Sequence, residues 1–213
     1  MSLTETGFIP IEEIIDEEAF NKMPKISFIG PPSSGKGTAA EIVSRKYNLA
    51  SITFSRGIRD HLEYLHGIPQ PHSRDLLRPT SSRMQNEFGA LAHLTNAMKY
   101  LKFELAKHPD IQGFAIDGFR WPQEGYAISQ MPNSLVVWME ADQEVRKQRL
   151  LERARPGDLT EDTFYDTDNM EIEWTRPLKE FASVTIINNG NMNDLETQVC
   201  TLVEERFGLM PVS

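Results

Sequence analysis

Residues 26–38 read Ile-Ser-Phe-Ile-Gly-Pro-Pro-Ser-Ser-Gly-Lys-Gly-Thr. The segment Ile26–Ile29 is short, mostly apolar and closed by Gly30, which is typical of a buried β-strand. The segment Lys36–Tyr47 that follows has apolar residues at helical spacing. The sequence therefore predicts a strand, a tight turn and a helix in direct succession.

Further strands and helices alternate along the rest of the chain. We predict strands at Ile52–Phe54, Phe114–Ile116, Leu135–Met139 and Val184–Ile187. Residues 56–66 and 73–108 are predicted to be mostly helical, with breaks in this region at Pro69, Pro71 and Pro79, and further helices are predicted at Asp142–Arg153 and from about Asn193 to Phe207. Short apolar strands that alternate with helices indicate an α/β fold, with a five-stranded parallel sheet between two helical layers. Ligands of such sheets bind beyond the carboxyl ends of the strands. The residues predicted at those ends are Gly30, Ser55, Asp117, Glu140 and Asn188.

The turn at Gly30–Thr38 has the composition of a phosphate-binding loop. Its glycines allow the backbone to curl around phosphates, and the helix that follows directs its positive end at the same anion. Lys36 would add a point charge for the β- and γ-phosphates of a nucleotide. The candidate phosphate-binding residues are Gly30, Ser33, Ser34, Gly35, Lys36, Gly37 and Thr38. An ordinary turn between strand and helix is the alternative.

The form Gly35-Lys36-Gly37-Thr38 resembles that of nucleoside monophosphate kinases, of which adenylate kinases are the best-known members. The general loop pattern has Ser or Thr directly after the lysine, whereas here Gly37 intervenes. The resemblance implies a P-loop NTPase fold, ATP as co-substrate, Mg²⁺ as cofactor and a role for Thr38 at the phosphates.

Asp117 follows a predicted strand and is a candidate for holding Mg²⁺ through water, because this ion prefers carboxylates together with waters and phosphates. A turn residue before Gly118 is the alternative. Adenylate kinases have a similar Asp-Gly-Phe-Pro-Arg, while this chain has Asp117-Gly118-Phe119-Arg120, without the proline. By this resemblance Arg120 would bind the acceptor's phosphate.

Arginines cluster around the predicted helix Asp142–Arg153. Arg146, Arg149 and Arg153 recur at helical spacing, and Arg155 follows. A solvated charged face is one interpretation. In the resembled family a lid follows this helix and its arginines close over the transferring phosphoryl group, which implies catalytic roles for Arg149, Arg153 and Arg155 beside Lys36 and Asp117. Residues 154–168 allow only a short lid.

The remaining binding residues rest on weaker resemblances. Ser55-Arg56-Gly57-Ile58-Arg59 partly matches the segment of the family that lines the monophosphate pocket, and residues 83–89 resemble a segment of deoxynucleoside monophosphate kinases. Arg59 and Arg83 are therefore acceptor-binding candidates beside Arg120. Asn189 and Gly190 follow the last strand, where related kinases contact adenine, although an ordinary turn explains them equally well. The five histidines are taken as surface or helix residues without metal-ligand spacing.

Composition limits the partners and the compartment. The net charge of −9 argues against nucleic acid as a partner, because an acidic surface repels phosphates. ATP is also an anion, so positive charge has to be concentrated where it binds. Cys200 is the only cysteine, which excludes an intramolecular disulfide and favours a cytoplasmic location. We expect no membrane association, since the sequence has neither an apolar run of bilayer length nor a signal peptide. The protein is expected to be a monomer or homodimer, with an acidic extension at 1–23 and a kinase domain at 24–213.

The favoured hypothesis is transfer of the γ-phosphoryl group of ATP to a (deoxy)nucleoside monophosphate. Kinases of another phosphorylated acceptor, such as dephospho-CoA, and a non-catalytic nucleotide-binding protein are the alternatives. A GTPase is disfavoured, because Asn188-Asn189-Gly190-Asn191 does not supply the Asn-Lys-x-Asp motif that recognises guanine.

Overall fold

A parallel five-stranded sheet organises the computed structural model, which describes residues 17–153 and 160–212. The strands are β1 (Lys25–Ile29), β2 (Leu49–Thr53), β3 (Gly113–Asp117), β4 (Ser134–Glu140) and β5 (Val184–Ile187). Their spatial order is β2-β3-β1-β4-β5. The strand that precedes the phosphate loop therefore lies in the middle of the sheet, with a parallel neighbour on each side.

Helices fill the connections between these strands. They are α1 (Glu17–Lys22), α2 (Lys36–Tyr47), α3 (Phe54–Asp60), α4 (Arg74–Phe88), α5 (Ala92–Lys107), α6 (Pro122–Ser129), α7 (Gln143–Arg153), α8 (Glu161–Thr175) and α9 (Met192–Phe207). A π-helical turn at His61–Leu65 extends α3, and a 3₁₀ helix at Arg176–Phe181 follows α8. Residues 154–159, which include Arg155 and the first part of the predicted lid, lie outside the described residues.

The core lies on both faces of the sheet. On one face Ile26 and Phe28 of β1 pack in a cluster with residues of α2 and α9, such as Val43 and Val199. On the other face Trp138 of β4 belongs to a cluster with residues of α3, α5 and α6. All five residues of β1 are buried, because both faces of the central strand are covered. The predicted three-layer P-loop fold is confirmed.

Two local predictions are wrong. The second strand ends at Thr53 rather than at Phe54, which is instead the buried first residue of α3. Pro79 does not break the helix but lies inside α4, and the break falls after Phe88, at Gly89, which has a φ of +94°. A proline within a helix costs about 3 kcal/mol, and burial of Thr80 and Met84 on the same helix opposes that cost.

The described end of the acidic extension packs against the body of the protein. Phe20 of α1 is buried, with its ring 5.8 Å from that of Phe114. Lys25 at the start of β1 is also buried, and its ammonium donates to the carbonyls of Phe20, Met23 and Pro132 at 2.6, 2.8 and 3.0 Å. This ammonium holds α1 at the amino ends of the strands. Residues 1–16 lie outside the described residues, so the proposed boundary at residue 23 stays a prediction.

The described helices include none that combines the length and the apolar character needed to cross a membrane. The single cysteine, Cys200, is buried in α9.

Candidate active site

A cavity of about 800 Å³ opens at the carboxyl edge of the sheet. Its wall runs from Met192 and Leu195 of α9, past the phosphate loop, to Arg59 of α3 and Leu77 of α4. Because β5 and β2 are the two edge strands, these groups lie at opposite ends of a trough that crosses the sheet, with the phosphate loop after central β1. Its size is within the range of small-molecule sites, roughly 300–1,000 Å³.

The phosphate loop adopts a conformation that requires glycine at Gly35. This residue has a φ of +98°, and a Cβ there would lie 2.3 Å from Nδ2 of Asn188. Helix α2 begins directly afterwards at Lys36, so the N–H groups of its first turn, which have no partner within the helix itself, lie at the cavity wall. The Lys36 ammonium donates to the Pro31 carbonyl at 2.7 Å. This arrangement suits an anion held by backbone N–H groups and one ammonium.

Asn188 connects the phosphate loop to two other elements. Its Nδ2 donates to the Ser34 carbonyl at 2.9 Å, and its own backbone carbonyl accepts from Arg149 at 2.8 Å. The same guanidinium donates to the Gly190 carbonyl at 3.0 Å. Arg149 therefore braces the loop after β5 while also lining the cavity. Burial lowers the pKa of Arg149.

Asp117 lies at the end of β3, beside the start of α2. One of its oxygens, Oδ2, would be 3.4 Å from a Cβ placed at Gly37, and the other, Oδ1, is buried without a hydrogen-bond partner in the described part of the chain. Burial raises the pKa of Asp117, while the charges of Lys36 and Arg120 oppose that rise. A shielded carboxylate oxygen beside a phosphate-binding loop is suited to a hard cation.

The far end of the cavity is lined by Arg59, His72, Leu77 and Arg120. The side chain of Arg59 is half-buried and makes no hydrogen bond or ion pair within the described part of the chain. His72 Nε2 lies 2.8 Å from the Ile68 carbonyl, so this nitrogen carries the proton. Its Nδ1 is buried and has no hydrogen-bond partner among the described residues.

The charge of the cavity opposes that of the whole protein. Among the described residues that line it, five are cationic and two are acidic, an excess of three positive charges on a chain of net charge −9. The cationic residues are Lys36, Arg59, Arg120, Arg149 and Arg153, and the acidic ones are Glu41 and Asp117. Such a concentration of positive charge favours phosphorylated ligands.

Most of the site residues suggested by the sequence come together at this cavity. Those that line it are Ser33, Gly35, Lys36, Gly37, Thr38, Arg59, Asp117, Arg120, Arg149, Arg153 and Gly190. Gly30 and Ser34 lie behind the wall, where a Cβ at Gly30 would be 2.2 Å from the Met139 carbonyl oxygen. Arg83 is exposed on α4 and does not line the cavity, and neither does Asn189, whose side chain accepts from the Asp142 amide at 2.8 Å.

Other lining residues were missed. His72 was taken as a surface or helix residue, yet it is buried in the loop before α4, and no local pattern marks it. Asn188 was noted only as the end of a strand.

Arg146, which shares a helix face with Arg149 in the sequence pattern, does not line the cavity. It is buried and forms a two-pronged ion pair with Asp168 of α8.

Comparison with known proteins agrees with this geometry. A family model described as an AAA domain matches residues 29–164. An adenylate kinase from Flavobacterium johnsoniae is 30% identical over 147 residues, which cover 66% of this chain and 72% of that protein. The chain belongs to the adenylate kinase-like family of P-loop kinases. Adenylate kinase isoenzyme 1 from Homo sapiens is 27% identical to this kinase over 197 residues, which cover 87% of the chain and 96% of the relative.

Solved structures resemble the fold of this kinase. Shikimate kinase from Bacteroides thetaiotaomicron superposes with a TM-score of 0.54 at 17% identity, over 86% of this chain and 98% of that one. Shikimate kinase from Acinetobacter baumannii in complex with shikimate superposes with a TM-score of 0.53 at 18% identity, over 89% of this chain and 97% of that one. The predicted family and the assignment as a phosphotransferase are confirmed, whereas the acceptor is left open by these likenesses.

Proposed function

We propose that this kinase transfers the γ-phosphoryl group of ATP to a (deoxy)nucleoside monophosphate. The observation that carries the proposal is the single trough with positive charge on both sides of Lys36. Arg149 and Arg153 lie towards the β5 edge, and Arg59 and Arg120 lie towards the β2 edge. The trough therefore has a separate cationic end for each of two phosphorylated ligands. The relatives named adenylate kinase support the same choice of acceptor.

ATP would occupy the half of the trough nearer β5. The N–H groups at the start of α2 and the Lys36 ammonium would bind its phosphates. Its base would lie near Gly190 and the apolar side chains of Met192 and Leu195, which line that end. Asn189 would act only through the backbone of this loop, since its side chain is engaged elsewhere.

Mg²⁺ fits the residues present, as the shielded Oδ1 of Asp117 indicates. Asp117 would hold the ion through water, and the hydroxyl of Thr38, which also lines the cavity, is a candidate for a further oxygen ligand. When bound with ATP, Mg²⁺ would neutralise charge that develops on the phosphates.

The chemistry would require positioning rather than a strong base. A phosphate oxygen of the acceptor, already ionised near neutral pH, would form a bond to the γ-phosphorus while the bond to the β-bridging oxygen of ATP breaks and ADP leaves. Arg59 and Arg120 would orient the acceptor phosphate, and Lys36, Arg149 and Arg153 would stabilise the transferring group. A cytoplasmic location and a monomeric or homodimeric state stay predictions from the sequence.

A screen of acceptors tests the proposal. ADP release from Mg-ATP is followed with each common nucleoside monophosphate and deoxynucleoside monophosphate in turn. Dephospho-CoA and shikimate are tested in the same way as alternative acceptors. We expect turnover with at least one monophosphate, and a decrease of kcat by on the order of 10²–10³-fold in Lys36→Ala. Lys107→Ala, an exposed lysine at the end of α5, is the matched control and should keep full activity.

Turnover confined to shikimate or dephospho-CoA would replace the proposed acceptor. If no acceptor in the panel accelerates ADP release while Mg-ATP still binds, the non-catalytic binding hypothesis gains support and the transfer proposal fails.

A further inference from the structure

Three elements meet at the carboxylate of Glu171 on α8. This side chain is only 1% exposed, and its Oε1 accepts from Nη2 of Arg78 on α4. Its Oε2 accepts from Nη1 of Arg120, in the loop after β3, at 3.3 Å. The Arg120 side chain is 52% exposed and that of Arg78 is 23% exposed. The two guanidinium groups thus lie on either side of one buried carboxylate.

This carboxylate is an electrostatic difficulty for an acceptor site. Arg120 lines the cavity, and a negative charge in contact with it opposes the binding of an anion at the same guanidinium. Burial reduces the screening of that charge by solvent. A counter-charge on the other oxygen of Glu171 removes the opposition, and Arg78 supplies one.

Arg78 itself does not line the cavity, although its neighbour Leu77 does. Arg78 also lies 5.8 Å from the ring of Trp174, one turn further along α8 than Glu171. Its contacts therefore fix it against α8 rather than direct it at a ligand.

We propose that Arg78 is a positioning residue for the acceptor: it neutralises Glu171, so that the positive charge of Arg120 is available to the anionic group of the acceptor. This inference rests on the proposed function, in which Arg120 binds that group. Glu171 in turn fixes the orientation of Arg120, since a hydrogen bond on one guanidinium nitrogen leaves the remaining N–H donors for the cavity.

The test is a rescue experiment in the full-length protein, with the acceptor found by the screen. Arg78→Met should raise the KM for the acceptor by about tenfold, with the KM for ATP and the kcat each changed less than about twofold. Arg78→Met combined with Glu171→Gln should bring the acceptor KM back to near the wild-type value, because the buried negative charge beside Arg120 is then gone. Arg206→Met on α9 is the matched control and should change none of these constants.

A purely structural role predicts a different pattern. In that case Arg78→Met would lower kcat and raise both KM values together, and Glu171→Gln would not restore them; either result overturns the proposal. Arg78→Lys, which keeps the charge but loses the planar fork, is the second variant if Arg78→Met unfolds at the assay temperature. Its acceptor KM should stay within about threefold of wild type, and a tenfold rise would contradict charge compensation.

Sulfate binding separates this inference from the proposed function. With Mg-ADP at saturation, the affinity for sulfate is measured by thermal unfolding at constant ionic strength. We expect weaker sulfate binding in Arg78→Met and recovery in the double variant, even if no acceptor in the screen is phosphorylated. Equal sulfate affinity in all three proteins would overturn the role of Arg78 whatever the transfer assay shows.

Discussion

Asn188 couples the phosphate loop to α7, because its carboxamide donates to the Ser34 carbonyl and its backbone carbonyl accepts from Arg149. We predict that Asn188→Ala lowers the free energy of unfolding by about 1–3 kcal/mol, because the buried Ser34 carbonyl loses its donor. The KM for ATP should rise as well, since the loop is no longer held. Urea unfolding and steady-state kinetics measure the two effects. Asn193→Ala, an exposed asparagine in the first turn of α9, is the control; equal behaviour of the two variants would contradict the prediction.

Glu124 on α6 makes stability depend on pH. Its side chain is fully buried, and burial raises its pKa to about 8, against the opposing effect of the nearby backbone amides of Arg120 and Leu94. A raised pKa in the folded state means that the folded protein binds more protons than the unfolded chain between pH 4.5 and about 8. The stability that protonated Glu124 contributes to the folded state is therefore complete below pH 4.5 and is lost as the pH rises to about 8.

We predict that Glu124→Gln removes this loss. The difference in unfolding free energy between the variant and the wild type should grow in the variant's favour from pH 5 to 8, by up to about 1.4 kcal/mol per pH unit. Chemical denaturation at a series of pH values measures it. A difference that stays constant over that range would show that Glu124 is ionised throughout.

At the scale of elements, the buried ion pair between Arg146 and Asp168 joins α7 to α8. Arg146 also donates from Nε to the Ala141 carbonyl at 3.0 Å, so its charge is fully engaged. We predict that Asp168→Ala costs about 3–5 kcal/mol of stability, because it leaves a buried guanidinium unpaired. The double variant Arg146→Met, Asp168→Leu should be less destabilised than Asp168→Ala, since no charge then stays buried. Thermal and urea unfolding test this order, and the reverse order would contradict it.

The strands and the phosphate loop could be predicted because their signals are local. Short apolar runs, Gly35 and the helical spacing after Lys36 each depend on neighbouring residues only. The error at Phe54 arose because its apolar side chain continues a strand pattern and is equally suited to the buried face of α3. The tendency of Pro79 to break the helix was overestimated, because helix packing can offset the loss of one backbone hydrogen bond.

The contacts that shape the acceptor end could not be predicted in this way. Glu171 is separated from Arg78 by 93 residues and from Arg120 by 51, and nothing in either local sequence indicates the other. His72 lies in a proline-containing loop without periodicity. Arg146 and Arg149 look alike in the sequence, but one is buried against α8 and the other faces the cavity. Only the packing of α7 against α8 distinguishes them.

At the scale of the whole molecule, two electrostatic effects oppose each other. The net charge of −9 repels anionic substrates, while the cavity attracts them with its excess of three positive charges. The cavity charges would contact the ligand directly, whereas surface charges farther away than the screening length, about 10 Å in 0.1 M salt, are largely screened. The local attraction should therefore dominate.

We predict that the KM for ATP rises several-fold when sodium chloride is increased from about 20 to about 200 mM. Steady-state kinetics in a buffer of constant pH measure this, with sucrose at equal osmolality as the control for effects unrelated to charge. A KM that falls with added salt would mean that repulsion by the acidic surface outweighs attraction within the cavity.

The buried ammonium of Lys25 has a practical consequence for handling the protein. It fastens α1 at the amino ends of the strands, and the cavity opens at their carboxyl ends, so a tether attached to an exposed residue of α1, such as Lys22, lies on the side away from the substrates. An enzyme immobilised on a sensor chip through that end would present its open trough to the flowing solution. Attachment through exposed lysines at random would lack this uniform orientation.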